Sequence, residues 1–75
     1  MYEVFFGWED DMIFLDEFPN IEEAKAYIES DYKYIAKLNE IESVIKTVKK
    51  TFKCWGRTFE VVCSLDMMIW SIVKS

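Results

Sequence analysis

The sequence predicts a small α+β domain in which an N-terminal β-hairpin and a C-terminal β-hairpin form an antiparallel sheet packed on a central helix or kinked helix pair. Three observations lead there. Apolar residues at Ile21, Ala24, Ile28, Tyr32, Ile35, Leu38, Ile41, Ile45, Val48 and Phe52 recur every three or four positions, the spacing of one helix face. The segments on either side are short, aromatic and β-branched, which suits strands. The chain has 75 residues, enough for one domain spanning 1–75 and near the lower limit for a self-sufficient core.

The first hairpin follows from two apolar runs, residues 2–8 and 11–16, separated by a polar stretch at Glu9-Asp10-Asp11. Both runs are apolar at nearly every position. One strand is therefore expected to be covered on both faces, or to leave one face as an interaction surface. The helix start is the sharpest local signal. Asn20 suits the N-cap, Glu23 stands at the third helical position, and Glu22 and Glu23 complement the positive end of the dipole. A helix is predicted from Ile21 to about Ser30, then a break or kink at Ser30-Asp31, then a second helix from about Tyr32 to residue 50. One uninterrupted helix of about thirty residues would be roughly 47 Å long, too long for so small a domain. Residues 44–54 also hold enough Val, Ile and Thr to form a strand leading into a Gly56-Arg57 turn. Thr58–Cys63 and Met67–Lys74 read as the last two strands, joined at Ser64-Leu65-Asp66. Tyr32, Tyr34, Met67, Met68 and Trp70 are expected to fill the core.

Absences bound the chemistry. There is no histidine, so the Ser-His and Cys-His nucleophile systems and the common zinc sites are excluded. Two glycines cannot build a phosphate loop, and no metal or cofactor site is expected. Carboxylates at Asp10, Asp11, Asp16 and Glu17 could in principle act as acid and base, but in turns they are usually just solvated, and the chain is not expected to be an enzyme. Cys54 and Cys63 form no C-x-x-C pair and read as reduced thiols; a disulfide across facing strands is the alternative. No signal peptide or apolar run of membrane-spanning length is visible, so the expected location is the cytoplasm.

Charge is the most informative feature. The net charge is −5. Residues 1–31 hold ten acids against Lys25 alone, or −9, whereas residues 32–75 hold eight bases against four acids, or +4. Opposite charge on the two halves is an argument about partners. Glu9, Asp10, Asp11, Asp16, Glu17, Glu22 and Glu23, with Trp8 as an aromatic anchor, form a candidate face for a basic protein surface, provided that turn, loop and helix start meet at one end of the domain. Local solvation explains each of these acids as well. A small acidic protein-binding inhibitor or adaptor is the expected function. In size, charge and aromatic content the chain is similar to phage and mobile-element proteins, such as anti-CRISPR and anti-restriction inhibitors, that occupy a nucleic-acid channel in place of phosphates. No motif carries that similarity.

Two alternatives stand beside it. Lys46, Lys49, Lys50, Lys53 and Arg57, interleaved with Phe52 and Trp55, could contact nucleic acid directly. The same lysines also suit a helix C-terminus, with Phe52 and Trp55 in the core. The basic face of one copy could instead meet the acidic face of another, giving a salt-sensitive homo-oligomer.

Overall fold

In the computed structural model, which describes residues 1–8, 10–39 and 47–75 (backbone alone for 47–49), the element order is β-β-α-β-β-β. Strands β1 (Tyr2–Trp8) and β2 (Asp11–Phe18) form the N-terminal hairpin, followed by α1 (Ile21–Leu38). Strands β3 (Thr47–Cys54), β4 (Arg57–Leu65) and β5 (Met68–Lys74) complete a five-stranded sheet in the order β2-β1-β5-β4-β3, every pair antiparallel. The α+β architecture is therefore as predicted, but β3 follows the strand alternative for residues 44–54 where a helix to about residue 50 was expected.

The helix begins where the sequence says it should. Asn20 is extended, and its side-chain carbonyl accepts a hydrogen bond from the Glu23 amide at 2.9 Å. The helix then runs through Ser30-Asp31 without a break. Asp31 does not cap a second helix, because its carboxylate accepts a 2.7 Å hydrogen bond from the indole N–H of Trp70. The helix ends at Leu38, where both the backbone and side-chain amides of Asn39 donate to the Ile35 carbonyl. Eighteen residues at about 1.5 Å each give roughly 27 Å, more than the ~19 Å between the outer strands of five. One helix is thus long enough to carry the chain from the β2 side of the sheet across toward β3.

Residues 47–54 form a strand because period two wins over period 3.6. Phe52 pairs with Phe59 across the ladder and their rings stack at 5.2 Å. Of the apolar positions that suggested further helix, Ile41 and Ile45 lie outside the described residues. The turn after β3 is Trp55-Gly56, one residue earlier than expected, with φ of 53° and 71°, the signs of a type I′ turn. The last hairpin also turns one residue away from its expected place. Leu65 faces the core and pairs with Met68, while Asp66 takes a positive φ that an aspartate tolerates. Met67 is consequently 76% exposed and Tyr34 is 62% exposed, so neither is the core residue anticipated.

Each sheet face has its own core. Beneath the helix, Ala24, Ile28, Tyr32 and Ala36 pack on Val4, Cys63, Leu65, Trp70 and Ile72. Trp70 has no solvent exposure, with its ring 5.4 Å from Tyr32 and 4.8 Å from Phe6. Burying an aliphatic side chain such as Ile28 contributes about 1.5–3 kcal/mol. Among the described residues the opposite face carries no helix, yet Phe5, Met12, Phe59 and Val73 are buried there, with Phe52 and Cys54 against them. Register shifts at Val4/Phe5, Thr47/Lys50 and Val61/Cys63 interrupt three of the four ladders. Bulges of that kind bend a sheet and increase its twist, which helps bring these side chains together on the face away from the helix.

The two cysteines lie on different faces, Cys63 under the helix and Cys54 in the second core, and both are free thiols. The disulfide alternative is thereby overturned. Burial, with Asp31 adding to it, pushes the Cys63 thiol up to about 12.

Three outcomes follow. Asp31→Ala leaves the buried Trp70 N–H without its acceptor and should cost about 1–3 kcal/mol in urea unfolding; unchanged stability would show that the bond contributes nothing net. Gly7 has φ of 147°, and a Cβ there would run into the Asp11 carbonyl oxygen. Gly7→Ala should therefore disrupt the first hairpin, read as loss of the cooperative thermal transition. Finally, the raised Cys63 pKa means that stability present below the ordinary thiol value near 9 is lost as pH rises toward about 12. Cys63→Val should lose less stability than the parent between pH 9 and pH 12 in parallel unfolding curves.

Candidate partner-binding edge

Strand β2 lies at one border of the sheet and pairs with β1 alone among the described residues. Its sequence, DMIFLDEF, places acids near both ends and apolar residues between them. Met12 turns into the second core and Leu15 packs toward the helix-side core. Ile13, opposite Phe6 on the helix side, and Phe14, opposite Phe5 on the other side with its ring edge-on at 5.6 Å, remain 53% and 50% exposed. Asp10, Asp11, Asp16 and Glu17 are all exposed. The Asp16 carboxylate accepts a 2.8 Å hydrogen bond from the Glu17 amide, which fixes it beside the strand end. Tyr27 stands near this end with its ring 5.3 Å from Phe18. Its pKa is raised by burial and by the charges of Asp31 and Asp16.

The predicted acidic residues do not meet at one end. Asp11 and Asp16 are five strand positions apart, about 17 Å at 3.3–3.4 Å per residue. Glu22 and Glu23 occupy the exposed first turn of α1, beyond Phe18, at the end of β2 away from Asp10 and Asp11. Strand β2 is extended, and extension separates the hairpin turn from the helix start. The acids line one side of the molecule instead of converging. Trp8 pairs with Asp11 at the hairpin end and is 42% exposed. Glu9 lies outside the described residues.

The basic alternative is divided by the fold. Lys46 lies outside the described residues, Lys49, Lys50 and Lys53 belong to β3 at the other border, and Lys50 and Lys53 are exposed. Arg57 is drawn off: its guanidinium forms a two-bonded ion pair with the Glu3 carboxylate, one bond being Nη1 to Oε1 at 3.4 Å, and sits 5.9 Å above the Phe5 ring. Phe52 is committed to Phe59. Of the two interleaved aromatics, Trp55 is the exposed one, at 60%, and it is held in the turn by edge contacts with Phe5 and Phe59.

Sequence reasoning missed Ile13 and Phe14. The available signal was an apolar run bracketed by Asp11 and Asp16-Glu17, but no sequence pattern shows which strand of a hairpin will lie at the border of a sheet. Among the described residues, no three or more Cys, Asp or Glu side chains gather to hold a metal ion, and no helix is long and apolar enough to cross a membrane. Compared with known proteins, the chain matches no family model, no curated protein and no solved structure.

Proposed function

We propose that this protein is a small protein-binding inhibitor or adaptor whose acidic β2 side engages a basic protein surface. One observation carries the reading: half-exposed Ile13, on the helix side of border strand β2, and half-exposed Phe14, on its other side, both lie between exposed acids at the two ends of the strand. An apolar centre within a charged rim is the anatomy of a protein contact. The rim supplies steering and selectivity for a cationic partner, and the centre supplies burial. A surface that ordinarily holds nucleic acid has that cationic character, so displacement of nucleic acid is the mode of inhibition most in keeping with the charge. The direct nucleic-acid alternative loses support, because Arg57 is neutralised by Glu3 and Phe52 is packed away.

The test is capture from nuclease-treated host lysate on immobilised protein, eluted with rising salt. One stoichiometric partner should be retained and released at moderate ionic strength. Reversing Asp10, Asp11 and Glu17 to lysine should weaken its capture about tenfold or more, with the circular dichroism spectrum unchanged. Equal capture by parent and variant would remove the acidic side from the interface.

A further inference from the structure

The position of β2 specifies how a partner can bind. A border strand presents backbone amides and carbonyls on its outer side, and these template pairing with another extended segment. Natural sheets commonly shield such borders with lysines, prolines or a covering element. Strand β3, with Lys49, Lys50 and Lys53, fits that pattern. Strand β2 has no lysine and no proline, and the register shift opposite Val4/Phe5 is its only interruption. Its charges are all negative, and Ile13 and Phe14 stand exposed at its centre.

We infer that the partner binds by strand addition, laying an extended segment rich in Lys or Arg and β-branched residues along the outer side of β2. Main-chain hydrogen bonds then provide affinity, and alternate side chains meet Ile13, Phe14 and the flanking carboxylates. This rests on the acidic-side reading above and adds the geometry of docking to it.

A second copy fits the same place less well. Symmetric pairing of β2 with β2 sets acids against acids, and β3 with β3 sets lysines against lysines. Head-to-tail extension of the sheet encounters a different obstacle. Because all neighbours in this five-stranded sheet are antiparallel, β2 and β3 run in the same direction. A copy continuing the sheet with its helix on the same side would bring β3 parallel to β2, the weaker kind of ladder. A foreign segment is free to run antiparallel.

The test uses two synthetic ten-residue peptides of alternating lysine and valine, one plain and one N-methylated at alternate residues. Both carry the same charge, but the second cannot complete a ladder. Hydrogen exchange of the intact protein is followed at low ionic strength. Saturating plain peptide should slow exchange at outward-facing amides of residues 11–18 by about tenfold or more, and the methylated peptide should not. Asp11→Lys with Glu17→Lys should reduce the plain peptide's effect. Equal binding of both peptides without protection of β2 overturns strand addition while leaving the acidic-side reading intact. Protection around Trp55 in place of β2, or no binding of either peptide, also overturns it. Concentration-dependent protection of β2 in the absence of peptide would make the occupant a second copy and overturn the foreign segment.

Discussion

Among the described residues one helix packs on the sheet, a helix can cover only one face, and both faces of this sheet carry buried apolar side chains. That mismatch governs the rest of the structure. The helix face is served conventionally by Ala24, Ile28, Tyr32 and Ala36. The other face is packed with rings: Phe59 is in contact with Phe5 at 5.0 Å and with Phe52 at 5.2 Å, and Trp55 closes over both Phe5 and Phe59. Aromatic side chains contribute large area for few positions, and the bulged ladders bring them together. Without that curl, Phe5 and Phe59 would be part of an exposed apolar patch, a liability in a chain of this size.

The two cores are joined through β1, β4 and β5, whose side chains alternate between them. Val4 points to the helix and Phe5 away from it. In β5, Trp70 and Ile72 face the helix and Val73 the second core. This explains why the first and last strands are apolar at nearly every position: they are interior strands covered on both sides. The border strand β2 shares that apolar composition without sharing the coverage. Its exposed Ile13 and Phe14 are the residue of this difference, and they are what singles it out as a contact surface.

The fold was legible in the sequence where local signals were strong. Asn20 with Glu23 announced the helix start, and the Tyr2–Trp8 and Asp11–Phe18 hairpin was visible from its two apolar runs and polar turn. It was illegible where a long-range contact decided the outcome. Asp31 is a good helix cap on paper, but Trp70, 39 residues away, claims its carboxylate. Phe52 is equally compatible with a helix stripe and with a strand, and its stacking on Phe59 settles which. The candidate site was half legible. Asp10, Asp11, Asp16 and Glu17 were identified by charge, but strand order, which no local pattern encodes, spread them along a border and exposed the apolar pair between them.

The inner strands β1 and β5, far apart in sequence, pair with each other within the sheet. Tyr2 pairs with Lys74, and the Met1 carbonyl accepts hydrogen bonds from the amide and the hydroxyl of Ser75. During synthesis the first hairpin and the helix are made early, but β1 has no inner neighbour until β5 has been made. Two aromatic faces must wait uncovered for that interval. Closing so large a loop carries an entropic cost before any contact rewards it, so this small protein should fold more slowly than its length suggests.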